Sequence, residues 1–550
     1  MKTTKNIARL AVTAGLTAAL SFGGVMATVT MAFAAEGAAP SYSLTINKSV
    51  DNDSTSFKAY QIFKADVIDG KSGKVASNIE WPSDDAETAV LKVLVDNNVP
   101  GITLDSTASD VADYLSKITD TTSLPQSSIL NKIALAVEKS VTATGDSFAA
   151  GRAFTTTSAG YYLFMTDTDS LSANEKQTGT SPIFAVVGGN AVVVTEKTSI
   201  PTVTKQVKDD GADNDWKYKA DSQMGQTVQY KLTGTVASNV DTFNTYYYEF
   251  HDELSAGLTV DKSTVKAVIG ETQITPTSVT MSDPDSNGRT VLSVKFDDLK
   301  AAATAAGVTV GEHTRVVVTY SAKLDPNKSQ HVVVGGTGNS NTIKLIYSNN
   351  PGHDSRGESV PDTVRDYTYA LKLVKKDATD ENKILKGVKF TIRATDPDDI
   401  ASKDMYVQEN GSLGTEAYEF TTTDSGEINV KGLDAGTYTV KETHTLAGYN
   451  TIPEFTFTIK AIGFNQAEGE GENKITVETS TRGSNLVEVD TTNTDNGTAA
   501  LIVKNKQGSG LPLTGLNGVT FTWIAGGAVL CIGVAHLIRS RKQAEESEQE

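Results

Sequence analysis

Short runs that alternate apolar and polar residues dominate the chain. TVQYKLTGTV (227–236), TRVVVTYSAKL (314–324), TYTVKETH (437–444) and FTFTIKAI (455–462) are rich in Val, Thr, Tyr and Ile, and clusters of Asp, Asn, Gly and Ser separate such runs. A period of two puts one set of side chains on a buried face and the other in water, which is the signature of antiparallel strands. Many such runs predict a mainly β chain of tandem Ig-like β-sandwiches. The period changes only in the first third. AETAVLKVLVDNN (86–98), SDVADYLSKI (109–118) and SSILNKIALAVEKSV (127–141) carry apolar residues three and four apart, which predicts helical insertions in an otherwise β domain.

Two composition shifts mark boundaries. EKTSIPTVTKQVKDD (196–210) passes through a proline after the strand-like AVVVT, and NNPGHDSRGESVPDTVRD (349–366) is a polar connector with Pro and Gly. The expected division is 35–196, 197–360 and 361–510, with a signal peptide over 1–34 and a sorting segment over 511–550.

The ends add an address. Lys2, Lys5 and Arg9 precede an apolar stretch that closes on Ala32-Phe33-Ala34, the pattern of a cleaved secretory leader. Near the other end LPLTG (Leu511, Pro512, Leu513, Thr514, Gly515) stands before Val519–Ile538, an apolar run long enough to span a bilayer. Arg539, Arg541 and Lys542 follow and are expected to stay in the cytoplasm. These three parts in this order resemble the cell-wall sorting signal of Gram-positive surface proteins. The resemblance implies that a sortase cysteine attacks the Thr514 carbonyl, Gly515 leaves, and Thr514 passes to an amine. The chain is then exported and held at the cell wall. Its one cysteine, Cys531, lies in the discarded run, so disulfides are not available to stiffen the exported part.

Strand parity supplies another kind of stiffening. In TYALKLVKK, Tyr369, Leu371, Leu373 and Lys375 share a face, so Lys375 points into the core. In GTYTVKETHTLAGYN, Tyr438, Val440 and Glu442 share a face, and ALIVKNKQGSG places Asn505 on the last strand. Burial favours the neutral amine and the neutral carboxylic acid. A neutral lysine held against an asparagine amide can attack it, with the acid moving the proton, and an isopeptide bond replaces ammonia. The second domain repeats the layout. Val203, Lys205 and Val207 share a face, as do Tyr246, Tyr248, Phe250 and Asp252; Asn341, Ile343, Leu345, Tyr347 and Asn349 share a third.

GTYTVKETHTLAGYN looks like the E-box, and LKLVKKD with VKNKQGSGLPLTG looks like the first and last strands, of a collagen-adhesin B-type (CnaB-like) pilin domain. The resemblance implies a Lys375–Asn505 bond promoted by Glu442. The second domain resembles the isopeptide-forming domain of fimbrial backbone subunits, in which YSNNP ends the final strand. That implies Lys205 joined to Asn349 with Asp252 as the acid; Asn341 shares the face and is the rival acceptor. SFKAYQIFKAD (56–66) and SAGYYLFMTDTD (158–169) resemble the amino-terminal domain of the same subunits, but the E-box glutamate is missing and Asp167 stands near its place. Lys48 has no convincing acid and asparagine partners, and no bond is expected there.

The amine that receives Thr514 decides the function. Backbone pilins of this class carry a lysine in a Tyr-Pro-Lys-Asn stretch, and this chain lacks that tetrapeptide. Lys197, before the proline of VVVTEKTSIPTVTKQV, has the matching spacing ahead of Lys205 and is the expected acceptor. The chain then reads as the shaft subunit of a covalently polymerised pilus. Its expected partners are pilus-class and housekeeping sortases, identical subunits, minor pilins and peptidoglycan. The alternative is a single wall-anchored adhesin.

Other classes are excluded on chemistry. The six histidines are scattered, with no HExxH, no GxSxG and no cysteine outside the anchor, so no turnover enzyme, metal or cofactor is expected. A net charge of −18 without a basic stripe argues against nucleic acid.

Overall fold

A computed structural model describes residues 40–508 except 50–53, 71–72, 119–123, 173–176, 197, 209–214, 398, 463–473 and 481–484, together with two short strands at Ile7–Ala8 and Thr13–Ala14. The cleavage site of the expected leader, the sorting segment with its apolar run, and Lys197 lie outside the described residues. No helix among the described residues is long and apolar enough to cross a membrane.

The chain is mainly β, and its sheets pack in successive pairs. In the first unit Ser56–Gly70 lies between Gly73–Glu80 and Gly160–Thr166, and Ile183–Val187 follows beyond. A smaller sheet sets Tyr42–Asn47 between Val192–Thr195 and Ala153–Thr156. Three helices cover the outer face of the larger sheet. Asp84–Asp96, Ala108–Leu115 and Ile129–Ser140 fall where the three-and-four spacing predicts them. Each begins at a hydroxyl cap: Ser83, Thr107 and Ser128 accept from the backbone three residues on, and Thr107 and Asp110 cap each other reciprocally. Val90, Leu94, Val111, Ile133 and Val137 are thereby set against Phe63, Tyr161 and Phe184 of the sheet. The other face of that sheet packs on the smaller one through Phe57, Phe164 and Ile183 against Leu44 and Ile46.

The second unit is a sandwich. One sheet runs Val203–Lys208, Thr227–Thr235, Arg315–Leu324 and Leu258–Ile269; the facing sheet runs Asp362–Tyr367, Asn339–Ser348, Tyr248–Leu254 and Thr290–Phe296. Strict alternation fills the space between them, as in Asn339–Ser348, where every second residue from Asn339 is buried. The third unit pairs Glu427–Leu433, Tyr369–Asp377 and Thr498–Asn505 in one sheet with Lys389–Pro397, Gly436–His444 and Phe455–Ile462 in the other. Its core holds Leu371, Leu373, Phe390, Tyr438, Phe457 and Leu501.

The second sandwich does not end at residue 360. Asp362–Tyr367 hydrogen-bonds along Asn339–Ile343 as a strand of that sandwich, and the third begins directly afterwards at Tyr369. The polar, Pro-containing connector is therefore partly sheet. The junctions between units are tied by hydrogen bonds. Gly179 N–H donates to the Asn349 carbonyl at 2.5 Å and Asn239 Nδ2 to the Gly179 carbonyl at 3.0 Å. At the next junction Gln223 Oε1 accepts from Asp434 N–H at 3.1 Å and from the Tyr438 hydroxyl at 3.0 Å.

Candidate functional site

The first and last strands of the third sandwich, Tyr369–Asp377 and Thr498–Asn505, are parallel neighbours with Asp377 opposite Asn505. Lys375 is thus two residues short of Asn505 on the same inward face. Both are fully buried, at 0% exposure. Gly436–His444 crosses the facing sheet and delivers Glu442, which lies opposite Phe390 in its ladder. The Lys375 ammonium stands 5.3 Å from the centre of the Phe390 ring. Its Nζ contacts Asn505 Oδ1 directly and donates to Glu442 Oε2 at 3.0 Å. Asn505 Nδ2 donates to Glu442 Oε1 at 2.7 Å and to Thr445 Oγ1 at 2.7 Å. One carboxylate therefore holds both the attacking nitrogen and the nitrogen that would leave.

The second sandwich builds a related cluster from different strands. Lys205 comes from Val203–Lys208; Asp252 and Asn341 come from adjacent strands of the facing sheet, where Asp252 lies opposite Ile343 and Leu254 opposite Asn341. Lys205 Nζ donates to Asp252 Oδ1 and Oδ2, both at 2.5 Å, and to Asn341 Oδ1 at 2.8 Å. Tyr320, on Arg315–Leu324, completes it. Its hydroxyl donates to Asp252 Oδ2 at 2.6 Å and accepts from Asn341 Nδ2 at 2.7 Å and from Lys205 Nζ at 3.1 Å. The Tyr320 ring stacks on Tyr230 at 5.2 Å between centroids, and the Lys205 nitrogen is 5.4 Å from each ring centre.

Burial dominates the electrostatics. It pulls the Lys205 amine down to about 8, against the opposing attraction of Asp252 and, more weakly, Asp362. Burial likewise brings Lys375 down to about 8, opposed by Glu442. Both amines thus reach the neutral, nucleophilic form far more readily than a solvated lysine does. Burial pushes the Tyr320 hydroxyl well up, so it keeps its proton.

The pairing of Lys205 with Asn349 expected from sequence is not the one the structure makes. Asn341 meets Lys205, and Asn349 serves the junction with the first unit. The Asn349 side-chain oxygen accepts from Ser355 Oγ at 2.7 Å, and its backbone carbonyl accepts from Gly179. Alternation places both asparagines on one face, but eight residues of strand separate them by about 26 Å. In the first unit Lys48 is exposed, and Asp167 holds Lys58 at 2.7 Å. Sequence reasoning missed Tyr320 and Thr445. Tyr320 shares the inward face of Val316, Val318 and Ala322, and a buried tyrosine needs a partner for its hydroxyl; that was the available signal. Among the described residues no group of three or more His, Cys, Asp or Glu is placed to hold a metal ion.

The fold and the clusters define a class: a mainly β chain of tandem sandwiches with prealbumin-like and Ig-like domains. Residues 370–474 match the family described as SpaA: Prealbumin-like fold domain. Among solved structures, the chain is similar to a backbone pilin of Streptococcus pyogenes, which has a modular three-domain structure decorated with variable loops and extensions. Identity is 15%, the likeness covers 85% of this chain and 98% of that one, and the TM-score is 0.50. The full-length major pilin SpaD of Corynebacterium diphtheriae is similar at 17% identity over 86% of this chain and 98% of that one, with a TM-score of 0.45. At 15% identity the likeness to the first is one of fold. No curated protein matches the chain.

Proposed function

We propose that this chain is the shaft subunit of a covalently polymerised cell-surface pilus, toughened by two internal lysine–asparagine isopeptide bonds. The observation that carries this reading is the pair of fully buried clusters, Lys375 with Glu442 and Asn505, and Lys205 with Asp252 and Asn341. An unreacted buried lysine is costly. Two of them, each in contact with an asparagine side-chain oxygen and with a carboxylate, are arranged as reactants. In each reaction the lysine nitrogen bonds to the amide carbon, the carbon–nitrogen bond of the amide breaks, and ammonia leaves. The acids Glu442 and Asp252 carry the proton from the attacking to the departing nitrogen. The reaction runs once per site, so the chain is its own product and not a turnover enzyme.

The rest of the reading follows the sorting signal and the likeness to backbone pilins. The exported chain comprises three domains, the second extending to Tyr367. A sortase cleaves between Thr514 and Gly515 and passes Thr514 to Lys197 of the next identical subunit; at the base of the fibre, peptidoglycan takes its place. Minor pilins share the same joint, and the fibre stands on the cell wall and supports adhesion.

Tryptic mass spectrometry of native fibres tests the polymer, and intact mass tests the internal bonds. A branched peptide joining Thr514 to Lys197 is the expected joint, and an exported chain lighter than its formula by two ammonia is the expected mass. Wall extracts in which Thr514 is found only on peptidoglycan would leave a single anchored adhesin instead. A mass equal to the formula would remove the internal bonds.

A further inference from the structure

The two clusters route the proton differently. Glu442 touches both nitrogens of its reaction, Lys375 Nζ through Oε2 and Asn505 Nδ2 through Oε1. Asp252 is one methylene shorter, and both of its oxygens are engaged with Lys205 Nζ. The Asn341 amide nitrogen donates instead to the Tyr320 hydroxyl, which donates in turn to Asp252 Oδ2. All of this lies in the buried interior: Lys205, Asp252 and Asn341 are at 0% exposure and Tyr320 at 2%.

We infer that Tyr320 is a third catalytic residue of the second sandwich, the proton relay between Asp252 and the departing nitrogen of Asn341. This deepens the isopeptide reading and rests on it. The reaction starts when the buried Lys205 ammonium, whose hold on its proton burial weakens, passes that proton to the Asp252 oxygens it touches and becomes the neutral amine. The amine attacks Asn341 Cγ, and electron density moves to Oδ1. The hydroxyl turns from Asp252 Oδ2 toward Nδ2, and the Asp252 proton passes to the Tyr320 oxygen as the phenol proton passes to Nδ2. The carbon–nitrogen bond breaks, and Nδ2 leaves as ammonia. Asp252 then takes the extra proton from the new amide nitrogen and is restored as the acid. The phenol ends with the same number of protons it had, which its buried, neutral state requires. In the third sandwich no tyrosine is needed, because the longer glutamate reaches both nitrogens itself.

The test uses the full exported chain, sampled at intervals after a pulse of synthesis and mapped with trypsin. The branched peptide joining Lys205 to Asn341 reports the second sandwich. The one joining Lys375 to Asn505, in the same molecules, is the internal control. Tyr320→Phe keeps the ring stack on Tyr230 and removes the hydroxyl. Loss of a positioned acid–base group slows a reaction by on the order of 10²-fold or more, so the Lys205 branch should lag by that factor while the control forms normally. Adding Asp252→Glu to Tyr320→Phe recreates the reach of Glu442 and should bring the branch back. Tyr320→Phe linking at the unaltered rate would overturn the relay. So would a lag that Asp252→Glu does not relieve, since the hydroxyl would then be holding the architecture and not a proton. Absence of the Lys205 branch from the unaltered chain is a different failure, that of the isopeptide reading in this sandwich.

Discussion

The second and third sandwiches assemble the same three functional groups by opposite routes. In the third, Lys375 and Asn505 sit on neighbouring strands of one sheet and the carboxylate of Glu442 comes across from the other. A bond there staples two strands within a sheet. In the second, Asp252 and Asn341 share a sheet and Lys205 comes across, so a bond there would staple sheet to sheet. The chain closed by each bond is nearly the same, with lysine and asparagine 130 residues apart in one case and 136 in the other. Loop closure by the proposed bonds would therefore stabilise both sandwiches equally, by about 5 kcal/mol on the scale used for disulfides. What differs is the acid and how far it reaches. A buried amine beside an amide is the common requirement; the proton route is free to vary with the strand that supplies it.

The largest effect expected is from removing an acid. Glu442→Ala and Asp252→Ala should each leave one sandwich unlinked, raising the mass by one ammonia. Each also strands a lysine in the core, a further loss of about 3–5 kcal/mol, seen as a lower melting temperature. Glu442→Asp is the sharper form. Without a tyrosine to extend its reach, the shortened acid should slow Lys375 linking by on the order of 10²-fold. Normal linking in that variant would break the comparison of reach.

The asparagines come next. Asn341→Ala should abolish the Lys205 branch in the tryptic map. Asn349→Ala should keep it and cost only about 1 kcal/mol through the Ser355 hydrogen bond. The reverse result would restore the pairing expected from sequence.

A smaller effect is the pH dependence of unlinked chains. In Asn341→Ala and Asn505→Ala the lysines remain, held in the folded state near 8 against an ordinary 10.5. Between those values the unfolded chain binds more protons, so stability should rise with pH across the window and be flat below it. Urea melts at either end of the window check the sign for both sandwiches, and a fall would contradict it. The smallest effect is that of Thr445→Val, which removes one acceptor from Asn505 Nδ2. It should slow linking of the third sandwich only a few-fold, read from the same time course.

Much of this was legible in the chain. Alternation in TYALKLVKK put Lys375 inside with Leu371 and Leu373, and the structure buries all three. The three-and-four spacing located the helices of the first unit. Parity fails where depth along a strand matters. Asn341 and Asn349 share a face, and only the pairing of Tyr248–Leu254 with Asn339–Ser348, which sets Asp252 opposite Ile343, shows that Asn341 is the nearer of the two. Tyr320 was hidden for a related reason. An inward tyrosine on a β-strand reads as core, and its hydroxyl acquires a role only when strands from both sheets are in place. The connector before residue 366 looked like a linker because Pro and Gly crowd it, yet backbone pairing to Asn339–Ile343 needs no apolar pattern.

The parallel pairing of Tyr369–Asp377 with Thr498–Asn505 has a mechanical consequence once both bonds are closed. A pull on the two ends of the chain would then pass from Lys205 straight to Asn341 and from Lys375 straight to Asn505. Everything in between, residues 206–340 and 376–504, hangs beside the taut line as slack that never feels the tug. The chain between the two sites is residues 342–374, and it folds back at two clasps, Arg356–Glu358 zipped along Ile346–Ser348 and Asp362–Tyr367 zipped along Asn339–Ile343. With the proposed bonds closed, peeling of these two clasps would set how far a stretched chain lengthens between them, so its give would lie in the connector rather than in either sandwich.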